Sequence, residues 1–160
     1  AASAGTEVHD TLERMILGEE VEVSLHAKPY VDGFLQFSED FGGTYEASEM
    51  TVFNVTHGYA GTLDALLRVG DRLGAIDWKT RQGKKAAKME AYDTEFLQVA
   101  AYMNAEWVHM PDGSVVPMPR VDGGSIVMLC DDGYATSRVR PHDFDGFLAV
   151  KALHDWKEAS

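Results

Sequence analysis

The chain has a single cysteine, Cys130, in 160 residues. One thiol excludes an internal disulfide and any metal or iron–sulfur site built from cysteines alone. It sits in Ile126-Val127-Met128-Leu129-Cys130, where a buried, inert thiol is expected. Long apolar runs are missing too. None approaches the roughly 20 residues a membrane helix needs, and mean hydropathy is −0.21, so no membrane role is expected. The opening Ala-Ala-Ser-Ala-Gly has neither a start methionine nor a signal-peptide pattern, as in a trimmed or added end. Positive charge is scarce. Lys and Arg number 14 against 26 Asp and Glu, a net charge of −12, which argues against generic attraction of the whole molecule to nucleic acid.

What is present is unevenly placed. Lys79, Arg81, Lys84, Lys85 and Lys88 fall in a ten-residue stretch without one acid. Arg81, Lys84, Lys85 and Lys88 are the candidate phosphate-contacting residues. Length sets one domain over 1–160 as the expectation, and 45% apolar residues suffice for a core.

The periodicities predict helix, three strands, helix, two strands, helix. Val8, Leu12, Met15 and Ile16 recur at helical spacing over 6–18, with Gly18 as a stop. Residues 19–48 mix glycine with Tyr30, Phe34, Phe37, Phe41 and Tyr45, and fit either a loop or a loosely helical insertion that could act as a lid. Strands are expected at 49–56, 59–69 and 72–79, joined by His57-Gly58 and Gly70-Asp71 into an antiparallel meander. A helix is expected over 90–108, its stripe running Phe96, Ala100, Met103, Trp107. A hairpin follows around Asp131-Asp132-Gly133, then a helix over 142–158 with Phe144, Phe147, Leu148, Ala152 and Trp156 at core spacing.

The most informative residues are Asp77-Trp78-Lys79, at the end of the apolar run Leu73-Gly74-Ala75-Ile76. On a strand, Asp77 and Lys79 share a face. Asp64, in Gly61-Thr62-Leu63-Asp64, ends up on the neighbouring strand. Two carboxylates beside one lysine are the minimum set for metal-assisted phosphodiester hydrolysis, the acids offering oxygen ligands and the lysine acting on the attacking water. Gln98 and Tyr102 lie one turn apart on one helix face.

Four features stand in order: His9 in Gly5-Thr6-Glu7-Val8-His9, Gly61-x-x-Asp64, Asp77-x-Lys79 and Gln98-x-x-x-Tyr102. This pattern resembles the RecB-like branch of the PD-(D/E)XK nuclease superfamily, over residues 5–108. The resemblance implies an α/β fold with a restriction-endonuclease-like core, in which a central mixed sheet containing the three-strand meander is flanked by helices. It also implies roles. Asp64, Asp77 and the main-chain carbonyl of Trp78 bind the metal, and His9 completes the site. Lys79 stabilises charge on the phosphate, while Gln98 and Tyr102 brace Lys79 or bond a DNA phosphate. Glu49 is the candidate additional metal or water ligand, with Glu46 competing for that place, and Glu13 braces His9 or its helix. A nitrogen ligand suits Mn²⁺ as well as Mg²⁺.

The chain departs from larger relatives that carry iron–sulfur staples, which need four cysteines, so a cluster-free member is expected. It carries no helicase segment, so a helicase or recombination partner would supply unwinding. Its acidity leaves affinity for DNA to the basic run or to another subunit. The expected activity is that of a Mg²⁺- or Mn²⁺-dependent deoxyribonuclease, acting as an exonuclease on DNA ends in recombination or repair. The setting would be the cytoplasm of a bacterial or phage-infected cell. The competing expectation is an inactive DNA-binding or scaffold subunit on the same fold.

Overall fold

The computed structural model describes residues 4–159. Its elements are α1 (Ala4–Ile16), α2 (Lys28–Phe41), β1 (Thr44–Asn54), β2 (Tyr59–Val69), β3 (Arg72–Arg81), a 3-10 turn at Ala86–Lys88, α3 (Asp93–Met103), β4 (Trp107–His109), β5 (Val115–Pro117), β6 (Gly123–Cys130), β7 (Gly133–Arg138) and α4 (Asp143–Glu158). The strands form one sheet in the order β5-β4-β1-β2-β3-β6-β7. Among the described residues only β3 and β6 pair in parallel. The meander β1-β2-β3 is antiparallel as expected. This is a mixed α/β sheet flanked by four helices, consistent with a restriction-endonuclease-like core.

Each face of the sheet has its own core, because strand side chains alternate between faces. Ala65, Leu67, Ile76, Trp78, Val127 and Leu129 pack beneath α1 and α2. Trp78 anchors that layer, meeting Phe34 and Phe37 edge-on at centroid distances of 5.2 and 5.6 Å, the arrangement aromatic quadrupoles favour. Leu66, Ala75, Ile126, Met128 and Cys130 lie on the other face with Val99 of α3. The alternation therefore anchors Trp78 beneath α2 and sends its neighbours Asp77 and Lys79 toward α3. Cys130 is fully buried, the inert setting expected of it.

Four expectations about the elements need correction. Residues 19–48 are not one insertion: α2 occupies 28–41, burying Tyr30, Val31, Phe34 and Phe37, and β1 begins at Thr44. The helix over 90–108 stops at Met103, and Trp107 and Val108 belong to β4, paired with Phe53 and Val52. Strand β1 starts five residues earlier than expected, which puts Glu49 inside the strand and not at its start. In α4, Phe144 and Phe147 pack near Tyr59, but Trp156 is 73% exposed and no part of a core.

Candidate active site

The site forms where β2 and β3 part company. Their ladder runs from Val69–Arg72 to Ala65–Ile76 and then ends. One step further, in the same register, Asp64 and Asp77 face each other. From there β3 stays with β6, pairing Asp77 with Ile126 and Lys79 with Met128. The Asp64 carboxylate takes over the hydrogen bonding of the freed backbone: the Trp78 N–H donates to Asp64 Oδ2 at 2.8 Å. Asp64 and Asp77 are 8% and 3% exposed.

The register also places one further acid beside them. Ser48 pairs with Ala65 and Met50 with Leu63, so Glu49 stands opposite Asp64. Glu49 has φ of 52°, a left-handed conformation that costs a non-glycine residue about 1–3 kcal/mol and tends to be kept at functional sites. Glu46, at the β1 register shift, turns away and pairs with Arg68 at 2.7 Å. Glu13 is near enough to Glu49 for its charge to be felt there.

Repulsion in this acidic cluster is visible in its protonation. Burial, reinforced by the Asp64 charge, raises the Asp77 carboxyl well above the usual carboxylate range. Burial and the charges of Asp64 and Glu13 push Glu49 up to about 6. His9 on α1 lies 3.3 Å from Asp64 Oδ2 through Nε2, and its Nδ1 meets the Gly5 carbonyl at 2.7 Å. The hydrogen bond to Asp64 raises His9 to about 9, against the cost of burial. The imidazolium thus supplies positive charge to Asp64.

On the α3 side a hydrogen-bonded row leads into the cluster. Lys79 Nζ is 3.0 Å from Asp77 Oδ2 and donates to Gln98 Oε1 at 3.0 Å. Gln98 Nε2 donates to the Tyr102 hydroxyl at 3.0 Å. Gly61 makes room for this row. A Cβ there would lie 2.3 Å from Tyr102 Cε1, so the glycine of Gly61-x-x-Asp64 is required by the approach of the Tyr102 ring.

Asp77 Oδ2 is buried and has no hydrogen bond among the described residues. Lys79 stands within ion-pair distance of it but is not aligned to donate, so the oxygen is compensated by charge alone. Among the described residues no three His, Cys, Asp or Glu side chains stand ready to hold an ion as they are: Asp64 is turned onto His9 and Trp78, and Asp77 faces Lys79. The donor set still fits a hard divalent cation. It offers carboxylate oxygens, one of them unsatisfied, with protonation raised by mutual repulsion that a cation relieves.

The basic run divides. Arg81 is half-buried, ion-paired with Glu95, and its guanidinium lies 4.3 Å from the Tyr92 ring centroid. It ties β3 to the start of α3, and contact with a phosphate would require breaking that pair. Lys84, Lys85 and Lys88 are exposed and form no ion pair among the described residues. Their loop is fixed by the β6–β7 turn, where Asp131 Oδ1 accepts the Gly83 N–H and the Tyr30 hydroxyl, and Asp132 Oδ1 accepts the Ala86 N–H. Sequence reasoning used Asp131-Asp132 only as a turn signal and missed this role, and it missed Glu95 and Tyr92. An acid and an aromatic opening the helix after a basic run were the signal available.

Known proteins share much of this chain. Mitochondrial genome maintenance exonuclease 1 of Homo sapiens is 30% identical to it over 156 residues, 95% of the chain and 42% of the relative. The Mus musculus protein of the same name is 30% identical over 155 residues, 95% of the chain and 43% of the relative. The chain spans less than half the length of the curated relatives it matches. No family model matches it. A solved structure, the crystal structure of SSO0001, is alike over 94% of this chain and 70% of that one, at 15% identity and a TM-score of 0.42. At that score the likeness adds nothing to the topology described above.

No helix among the described residues is long and apolar enough to cross a membrane.

Proposed function

We propose that the chain is a metal-dependent deoxyribonuclease of the PD-(D/E)XK type, acting as an exonuclease on DNA ends. The observation that carries this is the row Asp77, Lys79, Gln98 and Tyr102 at the β2–β3 divergence, with Asp64 held beside it on the Trp78 N–H. The similarity to curated exonucleases over 95% of the chain supports it.

Asp64 and Asp77 hold Mg²⁺ or Mn²⁺ in this reading, with the Trp78 carbonyl, Glu49 and His9 as the further donors. Bound there, the ion supplies polarisation of the scissile phosphate and of the attacking water. The chain's own residues do the rest. Lys79, held between Asp77 and Gln98, presents its ammonium where negative charge develops on the phosphate. Gln98 and Tyr102 fix the direction of that ammonium, since a three-donor group on a flexible stem otherwise samples many positions. Hydrolysis leaves a 5′-phosphate and a 3′-hydroxyl. The exposed Lys84, Lys85 and Lys88 contact the DNA backbone, giving an otherwise acidic surface a local positive field. A role in recombination or repair, a partner that unwinds the duplex, and a cytoplasmic setting belong to the same proposal.

The test is a time course on DNA labelled at one 5′ end, single- and double-stranded, with Mg²⁺, Mn²⁺ or EDTA, for wild type and Lys79→Ala. Metal-dependent loss that needs Lys79 is expected, and a ladder growing from one end marks exonuclease action. No cleavage of either substrate with either metal would overturn the proposal in favour of a binding or scaffold subunit.

A further inference from the structure

A cavity of about 290 Å³ opens beneath the C-terminal end of α2, between Phe37 and Phe41 and the sheet residues Leu67, Gly74 and Ile76. It lies toward the β2–β3 turn, at the opposite end of that hairpin from Asp64 and Asp77. Its size is near the lower end of small-ligand pockets, ~300 Å³, and its walls are mainly apolar.

Two arginines line the same cavity, Arg72 and Arg138. A Cβ at Gly123 would stand 3.4 Å from Arg138 Nη2 and 3.6 Å from Arg72 Nη2, so the two guanidinium nitrogens are at most about 7 Å apart. Among the described residues neither has a carboxylate within ion-pair distance. Every other arginine there has one: Arg14 with Glu19, Arg68 with Glu46, Arg81 with Glu95, Arg120 with Asp122, and Arg140 with Asp143. The nearby acid Asp122 accepts the Leu73 N–H and leans toward Arg120. In a chain with 26 acids and 14 bases, two adjacent unpaired guanidiniums lining an apolar cavity are the exception among the arginines of the described residues. Guanidiniums grip carboxylate and phosphate oxygens at about 2.7–2.9 Å, and one such head group spans the two nitrogens.

We propose that this cavity binds a small organic anion, with a carboxylate or phosphate-monoester head on Arg72 and Arg138 and a compact apolar body between α2 and the sheet. The polar edges of a nucleobase find few partners on these walls, so an aliphatic or plain aromatic body fits better.

The probes are octyl phosphate, octanoate and inorganic phosphate, titrated calorimetrically into the intact chain. Octyl phosphate or octanoate should bind, and the Arg72→Gln/Arg138→Gln variant should weaken binding by about tenfold or more, as expected for loss of charge-assisted hydrogen bonds. Gly74→Val fills the cavity from its floor. A Cβ at Gly74 meets nothing closer than 3.7 Å, so the new side chain starts without a backbone clash, and an unchanged circular dichroism spectrum is the check that the strand accepts the rest of it. That variant should lose octyl phosphate binding while any binding of inorganic phosphate persists. DNA cleavage, wherever measured, should be the same in all three proteins, which separates this proposal from the nuclease reading. Two outcomes overturn it: octyl phosphate and octanoate that fail to bind wild type at millimolar concentration, or binding that survives both replacements. Loss of DNA binding in the arginine variant, without any binding of the small anions to wild type, overturns it too and assigns the pair to nucleic acid.

Discussion

Replacing Gly61 by alanine tests whether the Tyr102 row organises the site. Gly61 has an ordinary strand conformation, so alanine adds a methyl group without backbone strain. That methyl would sit 2.3 Å from Tyr102 Cε1, 2.9 Å from Cζ and 3.0 Å from the hydroxyl oxygen. Carbon atoms rest about 3.5–4.0 Å apart, so the ring must retreat by more than about 1 Å. The hydroxyl moves with it, and the 3.0 Å bond from Gln98 Nε2 breaks. Gln98 is then free to release Lys79. Overpacking costs about 1–3 kcal/mol, offset by the ~0.5–1 kcal/mol that alanine gains over glycine within a strand. The net is a destabilisation of up to about 2.5 kcal/mol, a fall in Tm of up to roughly 10 °C for a domain of this size. A catalytic group displaced by about 1 Å can cost on the order of 100-fold in rate. Thermal unfolding and DNA cleavage should be measured for Gly61→Ala, Tyr102→Ala and the double variant. In the Tyr102→Ala background the methyl has room, so Gly61→Ala should there cost nothing or stabilise. A Gly61→Ala penalty of equal size in both backgrounds would refute the steric argument, and wild-type turnover in Gly61→Ala would show that the row does not govern Lys79.

Asp77→Ala should abolish cleavage and leave the circular dichroism spectrum unchanged, and wild-type turnover in that variant would remove Asp77 from the mechanism. The metal-free protein should lose stability with rising pH through three raised groups, and Asp77, raised from 3.8 to about 7, loses its share as pH rises across that span. Glu49, raised to about 6, binds its proton more tightly when folded, so stability falls as pH rises from its ordinary 4.5 through 6. His9, raised to about 9, contributes stability fully present below 6.5 and lost as pH rises through 9; Tm profiles of His9→Ala should lack that upper limb, and a limb that persists would mean another group causes it. Mg²⁺ or Mn²⁺ should raise Tm more at pH 8 than at pH 5, since the carboxylates must be ionised to bind it, and equal shifts at both values would exclude Glu49 and Asp77 as ligands. Neutralising Lys84, Lys85 and Lys88 together should weaken binding to duplex DNA and reduce its salt slope by about 0.9 for each phosphate these lysines neutralise, whereas an unaltered slope would mean that they touch no DNA.

The fold was legible where side-chain periodicity decides structure and illegible where it does not. The meander could be read because the turn signals His57-Gly58 and Gly70-Asp71 separate its three strand-like runs. Helix α2 could not. Its cap residue Ala27 makes no side-chain cap bond, and Gly33 interrupts the stripe, because that glycine is pressed against the Gly133 backbone, 3.1 Å from where a Cβ would be. A residue chosen for close packing there reads as a helix breaker. The overrun of α3 has the opposite cause. Trp107 and Val108 continue the helical spacing of Ala100 and Met103, but Asn104 ends the helix, and the next residues bond to β1. Trp156 misled because helical spacing in α4 says which residues share a face and nothing about whether another element covers it.

At the site, sequence order carried the residues that touch one another through side chains on regular elements. His9 meets Asp64 at 3.3 Å, and Asp77, Lys79, Gln98 and Tyr102 follow one another at 3.0 Å; each sits on a strand or helix whose phase the pattern gave. The choice between Glu46 and Glu49 depended on something else. A β-bulge shifts every later side chain by one position relative to its partner strand, and the irregularity between Tyr45 and Ala47 leaves Glu46 beside Arg68 and sets Glu49 opposite Asp64. Two acids three residues apart cannot be ranked by spacing when the register between them and the partner strand is unknown. Glu49 has a positive φ although the register on either side of it is regular, and it bears that backbone strain beside two buried carboxylates. Such an arrangement is stable only if something offsets the repulsion, which in the metal-free protein falls to His9 and Lys79. In the proposed metal-bound state Asp64, Asp77 and Glu49 would hold the cation, its charge would offset that repulsion, and Lys79, tied to Gln98, would keep its ammonium directed at the phosphate.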